Sequence, residues 1–325
     1  MSNKEKIQHK TSVGGQALLE GIMMQGPKGA AIACRLGNGE IDLEELEVKH
    51  VKDKFKPLGL PIIRGVVNFI ESMIFGYKCL MISANKVDLT DGEDEEEMSK
   101  LDKWLTDHLN EKVLNVLMFV ASAIGMLIAF GLFFYLPTIA INWVNELAND
   151  ALVNYRALLE GLIRMAIFIL YMAGVSMMKD IKRTFMYHGA EHKTIFCYEH
   201  GEELTVENVR KQIRFHPRCG TSFIFVVLII SVVISSLLSL AFPELRDTTM
   251  LWIAAKISIL PFIMGLSYEF IKYAGRHENV VVKVLAAPGL LMQRLTTKEP
   301  DDSMIEVAIA AFNAVITDNP EDDAV

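Results

Sequence analysis

The residues best suited to chemistry lie in one stretch, Tyr187-His188-Gly189-Ala190-Glu191-His192-Lys193. On a helix, His188, Glu191 and His192 stand at i, i+3 and i+4, so two imidazoles and a carboxylate project from one face. That spacing lets both histidines ligate one metal ion while Glu191 reaches a water beside it, the H-x-x-E-H order that inverts the zincin motif. A second group follows at His216-Pro217-Arg218-Cys219-Gly220-Thr221, where His216 and Cys219, three residues apart, could hold the same ion. Imidazole together with thiolate favours zinc or another divalent transition metal over magnesium or calcium. His188, His192, His216 and Cys219 are therefore the candidate ligands, and Glu191 is the candidate catalytic base.

Two readings of this cluster stand side by side. Three ligands would leave a position open for metal-assisted hydrolysis, with Glu191 taking a proton; four would close the tetrahedron and staple a non-enzymatic membrane scaffold. Taken singly, each histidine also has a plain structural role, as a hydrogen-bond partner or, for His216 before Pro217, as a helix stop. Between the two groups lie Cys197, Glu199 and His200, in a segment expected to hold a strand over residues 194–198. A turn at His200-Gly201 and a helix capped by Thr205 and running through Gln212 follow. Glu269 is a further carboxylate candidate, and His277 follows two turns later.

The elements that must position these groups are membrane helices. Residues 113–145 carry no charge, which exceeds the roughly 20 residues needed to cross the hydrocarbon core. Further apolar runs cover residues 158–178, where Glu160 and Arg164 form an i,i+4 pair, 221–242, and 250–270, which contains Lys256 and Pro261. Lys256 is expected to snorkel to the interface. Four spans follow. The segment joining the second and third carries Lys179, Lys182, Arg183, Lys193, Arg210, Lys211, Arg214 and Arg218, whereas the other two connections hold only Arg156 and Arg246. The positive-inside rule makes this segment cytoplasmic, with both termini on the same side, in a multi-pass inner-membrane protein. Residues 58–84 are apolar, but Arg64, Asn68, Glu71 and Lys78 form one polar stripe, which suits an amphipathic helix lying in the interface.

The expected fold is a membrane α-helical four-span transmembrane bundle with a small cytoplasmic α+β portion. A strand-containing module occupies residues 1–57, the interfacial helix 58–84 and an acidic linker 85–112. Spans one and two fill 113–178, the metal-site loop 179–220, spans three and four 221–270, and a cytoplasmic segment 271–325. Gly37-Asn38-Gly39 between two β-capable runs marks a hairpin. The stretch from Gly14 to Gly21 reads as a loop entering it. Seven of the ten residues 88–97 are acidic, a composition that cannot bury a core. Ser303 and Glu306 form a capping-box pattern ahead of a short apolar helix that must dock, and the N-terminal module is the partner expected for it. Residues 318–325 read as a polar, disordered tail.

Composition excludes several classes. With 51% hydrophobic residues the chain is too apolar to be disordered, and four scattered cysteines define no disulfide framework. The formal net charge of -8, from 40 acidic and 32 basic residues without a long basic block, argues against nucleic-acid binding. The first 20 residues lack an apolar stretch of the kind a secretory signal needs. Transport ranks last, because few polar residues lie deep in the spans. The expected partners are the lipid bilayer, a substrate of unassigned class and a further copy of the chain.

Four segments carry a family resemblance: Gly14-Gly15-Gln16-Ala17-Leu18-Leu19-Glu20-Gly21-Ile22-Met23-Met24, Tyr187 to Lys193, His216 to Phe223, and Pro288-Gly289-Leu290-Leu291-Met292-Gln293-Arg294-Leu295-Thr296-Thr297-Lys298-Glu299-Pro300. Through them the chain resembles the bacterial YqhQ-type membrane proteins over nearly its whole length. The resemblance implies a membrane location and a metal-dependent enzyme of unassigned reaction. The likeness to H-x-x-E-H peptidases, by contrast, is confined to five residues, and no large soluble peptidase fold accompanies it.

Overall fold

The computed structural model describes residues 9–48, 51, 55–88, 111–246, 248–277, 279–317 and 319–323. Two compact units are present: one draws on the chain up to residue 90 together with 171–230 and 260–325, the other on 91–170 and 231–259.

The first unit is built on a four-stranded antiparallel sheet in the order β1 (Gly14–Leu18), β2 (Gly21–Gly26), β3 (Gly29–Arg35), β4 (Ile41–Leu46). The hairpin expected at Gly37-Asn38-Gly39 joins β3 to β4, with Gly39 at φ +86°. The stretch expected as a loop is β1 itself, paired from Gly14↔Gln25 to Leu18↔Gly21. Its glycines obscured the strand pattern, but its backbone groups that face β2 are satisfied by the ladder.

Alternation of side chains explains why β2 and β3 read as unbroken apolar runs: both faces of the sheet are covered. Ile22, Met24, Ala31 and Ala33 point into a core shared with α5 (Lys179–Glu199) and α10 (Asp302–Val315). Met23, Ala30, Ile32 and Cys34 point the other way, against Cys79, Phe75 and Leu80 of α1 (Ile63–Asp88). The C-terminal helix thus docks on the N-terminal sheet as expected. Its cap is Asp301, whose side chain accepts from Met304 N, one position pair earlier than the Ser303 box. The expected tail is partly ordered against the fold: Asp323 is buried, bonded to His9 and to the Thr11 hydroxyl.

Residues 194–198 are helical, not a strand. They continue α5, and their β-capable side chains are buried in the core, where tertiary packing overrides local preference. α6 (Val206–Lys211) has the expected cap, Thr205 accepting from Asn208 N. The remaining helices are α2 (Glu111–Phe130), continued by a π-helical stretch at Gly131–Tyr135, α3 (Leu136–Leu147), α4 (Arg156–Val175), α7 (Gly220–Ala241), α8 (Thr249–Arg276) and α9 (Val280–Thr296).

Among the described residues five helices, not four, are long and apolar enough to cross a membrane: Ile63–Val87, Val120–Leu147, Val153–Val175, Gly220–Ala241 and Thr249–Gly275. The chain is a helical membrane protein by this measure. The additional helix is α1, whose polar residues are confined to one stripe and whose mean hydropathy of 1.3 is the lowest of the five. Residues 89–110, most of the expected acidic linker, lie outside the described residues.

In the second unit Lys256 does not snorkel. It is buried and ion-paired with Glu160, and also donates to Thr138 Oγ1 at 2.9 Å. Glu160 further accepts from Arg164 at 2.8 Å, the expected i,i+4 pair, and from Trp252 Nε1 at 2.8 Å. A buried carboxylate within hydrogen-bond reach of four donors, the Thr138 hydroxyl at 3.0 Å included, is a nearer and stronger partner than a distant headgroup.

Candidate metal centre

α5 is set by the sheet. Its buried Tyr187, Ala190, Ile195 and Cys197 face the core, while Arg183 and the Tyr187 hydroxyl bond Glu20 at the tight β1–β2 turn. Gly189 is required by close approach, since a Cβ there would run into the carbonyl of Lys298. This leaves His188, Glu191 and His192 on one face of the helix.

Both histidines are oriented by backbone carbonyls. His188 Nδ1–H donates to Thr296 O at 2.8 Å and His192 Nδ1–H to Arg214 O at 2.6 Å. Each Nε2 is then left with its lone pair, the outer-shell arrangement typical of metal-binding imidazoles. His188 Nε2 lies 3.2 Å from Cys219 Sγ, and the donor atoms of His188, His192 and Cys219 all fall within 4.8 Å of one another. Around a tetrahedral zinc, bonds of about 2.0–2.3 Å place such atoms about 3.5 Å apart. A small side-chain adjustment separates the two arrangements.

Charge states agree with this use. Burial, with the neighbouring His188, keeps His192 below the ordinary histidine value. Burial alone would push the Cys219 thiol up, but His192 and the Thr221 hydroxyl outweigh it and hold the thiol below the usual cysteine value. Glu191 is pushed up to about 7, chiefly by burial and further by Cys219, with His188 and the Gly15 backbone offsetting part. Its Oε2 is buried and has no hydrogen-bond partner among the described residues. A buried carboxylate oxygen without a partner is costly, so this Oε2 is a polar atom that the packing itself does not satisfy.

The sequence candidates are not all brought together. His216 is buried, but its Nδ1 accepts from Arg218 N and its Nε2 faces Glu199 Oε2 across 3.5 Å. Glu199 is ion-paired with Arg218 and accepts from Thr11 N at 3.0 Å. Glu269 pairs with Arg64 at 2.6 Å, and His277 stacks on Tyr273. None of the three enters the group formed by His188, His192 and Cys219. A donor set of two imidazoles and one cysteine sulfur, with a carboxylate alongside, is of the kind that fits a zinc-like ion.

Three contributors were invisible to spacing rules. A cavity of about 390 Å³ in front of the cluster is bordered by Gly14, Gly15 and Gln16 of β1. A Cβ on Gly15 would meet Met23 O at 2.6 Å and Glu191 Cδ at 3.0 Å, so glycine alone lets the strand touch the carboxylate. Gln293 on α9 accepts from His216 N and donates to its carbonyl, both at 2.7 Å. Gln293 and Thr296 lie within the Pro288–Pro300 segment of the family resemblance and on the buried face of α9, with Gly289 and Met292, but no spacing rule gave either a role.

A family model described as "Protein of unknown function (DUF1385)" matches residues 60–318. The chain belongs to this DUF1385 family. It is 33% identical over 308 residues, covering 93% of its length and 92% of the relative's, to "Uncharacterized protein YqhQ" of Bacillus subtilis (strain 168). No solved structure gives a significant match. The DUF1385 segment contains α5, the 216–219 turn and α9, and thus every residue of the His188, His192 and Cys219 group. Gly15 and its strand precede the matched segment.

Proposed function

We propose that this DUF1385 protein holds a zinc-like divalent ion through His188, His192 and Cys219 and is a metal-dependent hydrolase working at the cytoplasmic face of the inner membrane. The observation that carries the reading is the convergence of these three donors within 4.8 Å, with both Nδ1 atoms already committed to carbonyls. A divalent ion bound there supplies Lewis acidity, lowering the pKa of a coordinated water. Glu191 holds a free Oε2 at the edge of the same cavity and accepts the proton of the attacking nucleophile.

Placement at the membrane is supported by α1. Its first turns meet Glu269 and Tyr268 of α8, and Phe69 meets Phe223 in the first turn of α7. Its later turns meet the sheet through Ser83, whose hydroxyl accepts from Leu19 N, and through Lys86, paired with Asp42 and Glu44. Ile63, Ile70, Met73, Ile74, Tyr77 and Met81, at 41–68% exposure, form one outward stripe. A helix tied at both halves to the same unit, with an apolar outer face, lies in the interface and leaves four spans.

Metal analysis of the detergent-purified protein tests the reading. Wild type and Glu191→Gln should carry stoichiometric metal, and His188→Ala, His192→Ala and Cys219→Ala should lose it. A metal-free wild type would overturn the site. Metal retained by Glu191→Gln together with full cellular function would overturn hydrolysis and leave a structural staple.

A further inference from the structure

β1 is an edge strand, with β2 on one side of it and no strand on the other among the described residues. The two-residue turn that closes the Leu18↔Gly21 pair fixes which of its backbone groups enter the ladder. Gly14, Gln16 and Leu18 exchange hydrogen bonds with β2. The alternation of an antiparallel pair then turns the N–H and C=O of Gly15 and Ala17 to the outer edge. The Gly15 N–H shows this sense directly, since it donates to the Glu191 carboxylate. Among the described residues the Gly15 carbonyl and both backbone groups of Ala17 have no hydrogen-bond partner.

These groups border the cavity of the candidate metal centre, which Gly15 and Ala17 line together with His188, Glu191, His192 and Cys219. Glu191 joins the two parts: one oxygen meets the Gly15 N–H, and the buried Oε2 is left without a partner. A volume of about 390 Å³ admits a short extended segment and no folded domain. The lining is otherwise largely apolar, with Phe185 of α5 and Ile224 of α7. Its one lysine or arginine, Arg218, is ion-paired with Glu199, which leaves no free cation for a phosphate headgroup. What an unpaired strand edge recognises is another extended backbone.

We propose that the cavity binds an extended peptide segment as an added strand on the outer edge of β1, and that the bond hydrolysed is a peptide bond of that segment. This rests on the metal-dependent reading above and names its substrate class. Ala17 donates to and accepts from the peptide residue opposite it, and the Gly15 carbonyl accepts the N–H of the residue opposite Gly15. The carbonyl of that second residue finds the Gly15 N–H already bound to Glu191, so it is free to turn towards His188, His192 and Cys219. Hydrolysis adds the oxygen of one water to that carbonyl carbon and breaks the C–N bond. Glu191 carries the water's proton to the leaving nitrogen, so the products are a carboxylate and an amine.

The zinc-loaded full-length protein in detergent tests this with two probes. Acetohydroxamate chelates the metal alone; fluorescein-labelled Ala-Leu-Ala hydroxamate adds a short backbone. Fluorescence anisotropy, with unlabelled acetohydroxamate as competitor, reads both affinities. Wild type should bind the peptide probe about tenfold or more tighter than acetohydroxamate. N-methylation of the probe's amides removes its donors and should cost about fivefold for each hydrogen bond lost. Ala17→Pro removes the edge N–H without touching the ladder, and should weaken the peptide probe about fivefold while acetohydroxamate binds as before. The N-methyl comparison uses wild type and stands if Ala17→Pro fails to fold. Equal affinity of the two probes, no loss on N-methylation, or undiminished peptide binding by folded Ala17→Pro overturns the peptide assignment and leaves the metal centre in place. Binding of neither probe overturns the metal centre and this proposal with it.

Discussion

His188 Nε2 stands 3.2 Å from Cys219 Sγ, although 31 residues separate them in the chain. The contact is possible because α5 packs against the sheet and the 216–219 turn is held by Gln293, so a helix face and a turn meet across one cavity. Its chemical consequence is a thiol with an imidazole on one side and the Thr221 hydroxyl, at 3.2 Å, on the other.

That surrounding separates Cys219 from the other cysteines. Cys34 and Cys197 are buried, and burial pushes both thiols up to about 11, so near pH 7 only about one molecule in 10⁴ carries the reactive thiolate. Cys79 is buried as well, whereas Cys219 borders the cavity. Iodoacetamide treatment of the metal-stripped folded protein, read by peptide mass spectrometry, should modify Cys219 first, and added zinc should protect it. Equal labelling of Cys34 and Cys219, or no protection by zinc, would contradict this arrangement.

Gly15 and Gly14 make a paired test of the β1 contact. A methyl group on Gly15 meets Met23 O and Glu191, whereas one on Gly14 meets nothing within 4 Å. Gly15→Ala should cost about 1–3 kcal/mol and disturb Glu191, while Gly14→Ala should be close to neutral. Thermal melts of the two variants give the comparison; equal stability would mean that the strand yields freely.

The Glu160 cluster should respond asymmetrically. Glu160→Gln strands Lys256 and Arg164 without their carboxylate, at a cost of about 3–5 kcal/mol, whereas Lys256→Met leaves Arg164 still paired with Glu160 and should cost less. Combining Glu160→Gln with Lys256→Met should recover part of the loss. Unfolding in detergent measures all three, and a Lys256→Met change worse than Glu160→Gln would show that the lysine, not the carboxylate, is the hub.

Glu199 sets an acid limit. Burial raises its carboxyl, but the His216 contact and the Arg218 charge outweigh that and hold it below the ordinary value of 4.5. A carboxylate depressed in the folded state adds stability above its unfolded pKa and loses it as pH falls through the folded one. Wild-type stability should therefore drop below about pH 4.5, and Glu199→Gln should start lower and show a flatter acid limb. An unchanged acid limb in Glu199→Gln would place the sensitivity elsewhere.

Local patterns in the sequence were sufficient for several features. The charge-free run before Asn145, the Gly37–Gly39 turn, the Thr205 cap and the common face of His188, Glu191 and His192 depend on neighbours within a turn or two, and the structure reproduces them. Family membership was legible too, because its motifs are contiguous. Residues 194–198 misled because a β-capable sequence is also a good buried helix face once a sheet covers it.

What tertiary structure alone decided is which distant groups meet. Spacing put His216 and Cys219 on equal terms, but burial turned His216 towards Glu199 and left Cys219 beside His188. Likewise Lys256, read as an interface anchor, found Glu160, and Gly15, read as a loop, became the strand against Glu191. Periodicity reports the faces of single elements, whereas these choices depend on which desolvated charge or lone pair lies nearest once the elements are packed.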